Sequence, residues 1–97
     1  MIKLLLWETN LSLLPTDPEE RTKLVMGLMQ MVKEEVDKGL VKMWGISPSG
    51  RNGFSITERD EKDILATTMK FTPYVKFTVE PMLSANDALA VLQQAQK

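Results

Sequence analysis

Few side chains in this sequence could perform chemistry, and the missing types narrow the possible reactions. The chain of 97 residues contains no cysteine and no histidine. This composition excludes disulfides, thiol catalysis, Cys/His zinc sites, Ser–His chemistry and His-ligated haem. Any catalysis must use carboxylates, lysines, the single Tyr74, hydroxyls or backbone groups. We therefore expect neither a metal ion nor a cofactor.

Glu35 is the candidate general base. On a helical wheel it lies beside Leu28 and Met31 on the apolar side of a predicted helix, apart from the other charges of that helix. A partly buried carboxyl group beside a carbon acid is suited to proton abstraction. The alternative is that Glu35 lies at the edge of the helix and reaches solvent.

Two arginines could bind the carboxylate of a small ligand. Arg21 projects to the apolar side of the same helix, and Arg51 lies in the glycine-rich segment 49–53. A guanidinium group matches the planar geometry of a carboxylate. The alternatives are that Arg21 extends its charged group to solvent and that segment 49–53 is a simple turn.

Four aromatic residues lie in or beside predicted strands: Trp7, Trp44, Phe54 and Tyr74. They could line a pocket for a planar ligand between a sheet and its helices. The predicted pocket involves Trp44 and Tyr74 together with Arg51 and Glu35. Alternatively, the aromatic side chains are core or subunit-interface residues.

Four strands are predicted to support these residues. They cover residues 2–9, 40–46, 53–57 and 75–80. The last strand alternates Val75, Phe77 and Val79 with polar residues, which is the period of a half-buried strand. Pro81 indicates that its pairing ends near that residue.

Three helices complete the predicted order. The first is capped by Asp17 and closed near Gly39, the second is capped by Thr57, and the third is capped by Ser84. The order βαββαβ with an extra C-terminal helix indicates an α+β, ferredoxin-like fold. Residues 1–97 form one domain, as expected for this length.

The net charge and the hydropathy of the chain limit the classes of binding partner that we expect. The formal net charge is −1, so a nucleic-acid partner is not expected. The apolar segment 2–7 is too short for a signal sequence or a membrane span, which predicts no membrane association and a cytoplasmic location. Helices can cover only one face of the sheet, and the other face also has apolar residues. We therefore expect a homodimer or a higher homo-oligomer.

The segment Phe71–Met82 resembles the closing strand of muconolactone isomerases, with a Pro-Tyr start and a later Pro. Leu14, Arg21, Gly39 and Trp44 are also similar to that family's pattern, over most of residues 11–82. The resemblance implies a dimeric α+β barrel and a ligand of the lactone or aromatic-acid type.

Two functions follow as alternatives. The first is a protein that binds or isomerises such a ligand, with Glu35 as the base. The second is a non-catalytic assembly or interaction protein that keeps only the barrel fold. The helix segment 24–28 has no charged residue, unlike the corresponding helix of the resembling family.

Overall fold

The computed structural model describes residues 1–96 and confirms the predicted α+β order of elements. The elements are β1 (Ile2–Thr9), a short 3-10 helix (Leu11–Leu13), α1 (Pro18–Asp37), β2 (Met43–Ile46), β3 (Asn52–Thr57), α2 (Glu61–Phe71), β4 (Val75–Met82) and α3 (Ala85–Ala95). The strands form one antiparallel sheet in the order β2-β3-β1-β4. This arrangement is consistent with a ferredoxin-like fold.

Two predicted helix caps are confirmed. The Asp17 carboxylate accepts a hydrogen bond from the amide of Glu20 at 3.0 Å, and the Ser84 hydroxyl accepts one from the amide of Asp87 at 3.1 Å. Each bond satisfies an amide that has no partner within its own helix. At the other end of α1, Gly39 adopts a φ of 75°, which a residue with a side chain rarely adopts.

The second strand is shorter than predicted because the residues predicted to begin it are hydrogen-bonded to the end of α1. The amides of Leu40 and Val41 both donate to the carbonyl oxygen of Glu35, at 3.0 and 3.4 Å. Together with the bond from Gly39 to Val36, this is a Schellman motif. These amides are therefore not available to the sheet, and β2 begins at Met43.

Two further expectations need correction. Thr57 is the last residue of β3, and α2 is capped three residues later by Asp60, whose carboxylate accepts from the amide of Asp63 at 2.9 Å. The fourth strand does not end before Pro81 but continues to Met82. Proline is tolerated there because β4 is an edge strand that pairs only with β1.

The two faces of the sheet differ. One face, here called the covered face, lies under α1 and α2 and includes the buried Leu5 and Trp7, which pair across to Ser55 and Gly53. Strand alternation places the other residues of each strand on the opposite face, where Leu6 and Met43 are 44% and 56% exposed; this face is here called the open face. Its apolar residues are Ile2, Leu4, Leu6, Met43, Phe54, Ile56 and Met82.

The last helix extends the molecule. The structure measures 62 × 25 × 21 Å, and its radius of gyration is 16.4 Å. A compact domain of this length would have a radius of about 12.5 Å. No residue of α3 is buried. In the part of the chain that the structure describes, no helix is long and apolar enough to cross a membrane.

Candidate ligand-binding cavity

A cavity of about 190 Å³ lies between α1 and the covered face of the sheet. Its walls are largely apolar, with a few polar side chains among them, as is typical of ligand sites. The lining includes Leu5, Trp7, Arg21, Val25, Leu28, Val32, Glu35, Trp44, Ser55, Thr57, Arg59, Phe71 and Phe77.

The cavity exists because β3 presents small side chains to α1. Gly53, Ser55 and Thr57 occupy the covered face of this strand. Their side chains fill little of the space between sheet and helix. A gap therefore remains between α1 and β3.

One end of the cavity, here called the ion-pair end, is formed by Glu35 and Arg59. Nη2 of Arg59 donates to Oε2 of Glu35 at 3.1 Å, and both side chains are largely buried. Oγ1 of Thr57 donates to the carbonyl oxygen of Leu40 at 2.8 Å and accepts from the Arg59 amide and Nε, both at 3.3 Å. The polar groups at this end are therefore hydrogen-bonded to one another.

Lys3 ties the ion-pair end to the first strand. Its side chain is buried, and its Nζ donates to the backbone carbonyl oxygen of Arg59. The same Nζ lies 3.1 Å from Oε1 of Glu61, whose side chain is exposed. The network therefore connects β1, β3, α1 and the start of α2.

The opposite end, here called the tryptophan end, contains Trp7 and Trp44. Their rings stack with centroids 5.5 Å apart and an interplanar angle of 13°. Trp7 is only 7% exposed, and its Nε1 has no hydrogen-bond partner among residues 1–96. A buried indole N–H ordinarily finds an acceptor. This donor is thus the unsatisfied group of the site.

Gly53 allows the indole of Trp7 to lie against the sheet. A Cβ atom on Gly53 would lie 2.5 Å from Cζ2 and 2.7 Å from Cε2 of the indole. It would also overlap the carbonyl oxygen of Gly45. Glycine is therefore required at this position by the close approach of ring and backbone.

Arg21 is exposed and lines the cavity from the start of α1, far from the ion-pair end. The C-terminal end of α1 is fixed beside Thr57 by the hydrogen bond to Leu40. Arg21 lies 14 residues before Glu35, which corresponds to about 21 Å along a helix that rises 1.5 Å per residue. A ligand the size of one ring cannot contact both side chains.

The structure brings three of the five predicted site residues to the cavity: Arg21, Glu35 and Trp44. Glu35 is buried, so its alternative as a solvent-exposed edge residue is wrong. The expected placement of Arg51 and Tyr74 needs correction, because neither lines the cavity. Arg51 is exposed in the β2–β3 connection, and its carbonyl oxygen accepts from the Thr9 amide at 2.7 Å.

Tyr74 lies in the turn between α2 and β4. Val75 and Phe77 line the cavity from β4, whereas Tyr74 lies before this strand and does not line the cavity. Its carbonyl oxygen accepts from the Asn10 amide at 2.7 Å. The roles predicted for the five residues in binding or catalysis stay predictions.

Sequence reasoning did not identify Arg59 as a site residue. Arg59 lies in the charged segment 58–60, which has no periodic pattern. Its partner Glu35 is 24 residues away. The one available signal was a buried carboxylate on the apolar side of α1, since such a group requires a cation nearby.

The chemistry that this arrangement supports is binding of an acceptor group. At the tryptophan end, the buried Trp7 N–H has no acceptor among residues 1–96 and the exposed Arg21 lines the wall, whereas the Glu35 carboxylate is already paired. Within residues 1–96, no group of three or more acidic side chains is arranged to hold a metal ion.

Comparison with protein-family models matches residues 11–96 to DUF3303, a domain of unknown function. Comparison with curated proteins gives no match. Neither comparison links the chain to muconolactone isomerases. Since the matched residues make up most of the sequence, the chain belongs to the DUF3303 family.

Proposed function

We propose that the cavity binds a small organic acid with a single ring, through Trp7 and Arg21. The observation behind this proposal is the buried Nε1 of Trp7, which has no acceptor among residues 1–96. An unsatisfied buried donor costs about 1–3 kcal/mol. A ligand oxygen would remove that cost on binding.

The volume of the cavity supports a ligand of one ring. An apolar cavity of about 150 Å³ accommodates benzene, whereas sites for drug-sized molecules measure about 300–1,000 Å³. At about 190 Å³, this cavity suits a ring with one small substituent. The stacked Trp7 and Trp44 offer a flat apolar wall beside that ring.

The charge at the tryptophan end supports an anionic substituent. Arg21 lines the cavity, and its guanidinium can donate two parallel hydrogen bonds to a carboxylate. No acidic side chain other than Glu35 lines the cavity among the described residues, and Glu35 lies at the ion-pair end. A carboxylate beside Trp7 and Arg21 therefore meets no acidic side chain.

The resemblance to muconolactone isomerases supports the same ligand class, since their substrate is a small lactone acid. An isomerase would also require Glu35 as the base. The pairing of Glu35 with Arg59 at 3.1 Å, and its separation from Arg21 along α1, favour binding without isomerisation. We therefore propose a ligand-binding protein.

Calorimetric titration at pH 7 tests the proposal with benzoate, its neutral isostere benzamide, and a γ-lactone that has a carboxylate substituent. We expect the two acids to bind more tightly than benzamide. Trp7→Phe should weaken benzoate binding about 5- to 100-fold by removing the N–H donor. Arg21→Gln should weaken it about 10- to 100-fold by removing the charge-assisted hydrogen bonds.

Two matched variants serve as controls. Trp44→Phe replaces the other indole of the stacked pair by a smaller phenyl ring. Arg51→Gln removes an exposed arginine outside the cavity. Arg51→Gln should leave benzoate binding unchanged, and Trp44→Phe should weaken it less than Trp7→Phe. Failure of all three probes to bind, or equal effects of the two tryptophan variants, would contradict the proposal.

We also propose that the protein is a homodimer that packs through its open face, with higher homo-oligomers as a further possibility of the same surface. The open face has seven apolar residues, and its Leu6 and Met43 are 44% and 56% exposed. Sedimentation at micromolar concentration should give a species of twice the 11.0 kDa chain mass. A folded monomer at this concentration would contradict the proposal.

A further inference from the structure

The C-terminal arm, defined as residues 83–95, has an apolar stripe along one side. The stripe follows the helical period and consists of Ala85, Ala88, Leu89, Leu92 and Ala95. Leu89 and Leu92 are 53% and 62% exposed, and no residue of α3 is buried by the rest of the described chain. The arm therefore presents a surface suited to packing but has no packing partner within residues 1–96.

A helix of this length needs a partner surface to persist. α3 contains 11 residues. Isolated helices shorter than about 12–15 residues are marginal in water, because few hydrogen bonds offset the cost of nucleation. The Ser84 cap offsets part of that cost. The remaining stability must come from burial of the stripe.

We propose that α3 packs against a second copy of this chain. Because a dimer has two-fold symmetry, the α3 helix of each copy packs against the other copy. This inference rests on the proposed self-association through the open face. It adds the arm as the second part of the interface, so that each copy covers the stripe of the other.

The area of the open face supports a second contact. Four strands at a spacing of about 4.8 Å, each with about six residues that rise about 3.3 Å, form a face of about 400 Å². Two such faces bury about 800 Å², which is the size of a crystal contact, whereas stable interfaces bury about 1,200–2,000 Å². Two exchanged arms would raise the buried area into that range.

The reach of the arm is sufficient. Two extended linking residues and an 11-residue helix span about 23 Å beyond the end of β4. Packed sheets lie about 10 Å apart. The arm can therefore pass the partner's sheet and contact the partner along most of the stripe.

Charge favours a second copy over an anionic membrane. Asp87 is the single charged residue within segment 85–96, whereas helices that lie on anionic membranes have Lys and Arg on the polar face. The net charge of −1 leaves little repulsion between two copies.

Sedimentation of two full-length double variants tests the inference. Leu89→Glu/Leu92→Glu inserts two carboxylates into the stripe, and we expect the dimer dissociation constant to rise at least 100-fold. Asn86→Glu/Gln94→Glu adds the same charge on the polar side of α3 and should change the constant less than 5-fold. Dimerisation of the stripe variant as tight as that of the wild type would overturn the arm exchange.

Two further measurements separate the arm from the open face. Leu6→Glu should weaken the dimer through the open face; if it does so while the stripe variant does not, the open-face proposal stands and the arm exchange fails. Hydrogen exchange of wild-type amides 85–95 should slow as the protein concentration rises from nanomolar to micromolar. Exchange that does not depend on concentration would also overturn the inference, without recourse to any variant.

Discussion

The two ends of the cavity differ in whether their buried polar groups have hydrogen-bond partners. At the ion-pair end, buried polar groups satisfy one another: Arg59 donates to Glu35 and Thr57, and Thr57 donates to Leu40. At the tryptophan end, the Trp7 N–H is buried without a partner among the described residues. Both ends lie under the same helix, so the difference arises from the side chains and not from the fold.

This difference separates the groups that stabilise the folded protein from the group that could bind a ligand. A closed polar network contributes to the stability of the protein, and it offers little to a ligand, because a ligand would have to displace an existing bond. An unsatisfied donor destabilises the empty protein and becomes favourable when an acceptor arrives. Substitutions at the ion-pair end should therefore change stability with little effect on ligand binding, whereas substitutions at the tryptophan end should change ligand binding, whether or not they also change stability.

Glu35→Ala should produce the largest effect. It leaves the guanidinium of Arg59 buried without its partner, and breaking a buried ion pair in this way costs about 3–5 kcal/mol. Urea denaturation measures the loss in the free energy of unfolding. Benzoate affinity, measured where the variant is folded, should change little because Glu35 is remote from Arg21.

Glu34→Ala is the matched control for that prediction. Glu34 is the exposed neighbour of Glu35 on the same helix, so its removal should change the free energy of unfolding by less than about 0.5 kcal/mol. If Glu35→Ala were no more destabilising than Glu34→Ala, the ion-pair end would not have the supporting role assigned to it.

Local signals in the sequence predicted much of the fold. Asp17, Gly39 and Ser84 mark helix ends through bonds to their own neighbours, and the alternation in β4 is a property of consecutive residues. Thr57 shows where such signals fail. Both Thr57 and Asp60 are suitable caps, but Thr57 belongs to β3 and its hydroxyl donates to the distant Leu40 carbonyl, so Asp60 caps the helix.

The candidate site was less predictable because its contacts are long-range. The helical wheel directs Glu35 inward, but nothing local pairs it with Arg59. The support of Trp7 by Gly53 depends on the register between β1 and β3. The pattern of α3 likewise predicts a helix, and it does not predict that the helix leaves the body of the molecule.

Gly53→Ala should produce an intermediate effect at the tryptophan end. The added Cβ would displace the indole of Trp7 and press against the carbonyl oxygen of Gly45. Overpacking of this kind costs about 1–3 kcal/mol, and the displaced ring should abolish benzoate binding. Thermal unfolding and calorimetric titration measure the two effects.

Gly27→Ala provides the opposite control. A Cβ atom at Gly27 meets nothing within 4 Å, and alanine is favoured over glycine inside a helix. The variant should gain about 0.5–1 kcal/mol of stability and retain benzoate binding. If Gly53→Ala behaved like Gly27→Ala, the close approach of Trp7 to the sheet would not support the site.

Glu61→Gln should produce the smallest effect, at the outer edge of the ion-pair end. A hydrogen bond from its own backbone amide, followed by the bond and charge of Lys3, lowers the pKa of the Glu61 carboxyl. A carboxyl group with a lowered pKa in the folded state adds stability above its unfolded pKa, and this stability is lost as the pH falls through the folded pKa. The wild type should therefore melt slightly above Glu61→Gln at pH 7.

The difference in melting temperature should then shrink as the pH is lowered below the ordinary range of a glutamate, and vanish once the carboxyl is protonated in both states. Because the Glu61 side chain is exposed, solvent screens the attraction to Lys3, and the effect stays below those of Glu35 and Gly53. Melting curves of both proteins between pH 3 and pH 7 measure it. A difference that grew toward acid pH would mean that the Glu61 carboxylate opposes folding, and the network around Lys3 would then end at Arg59.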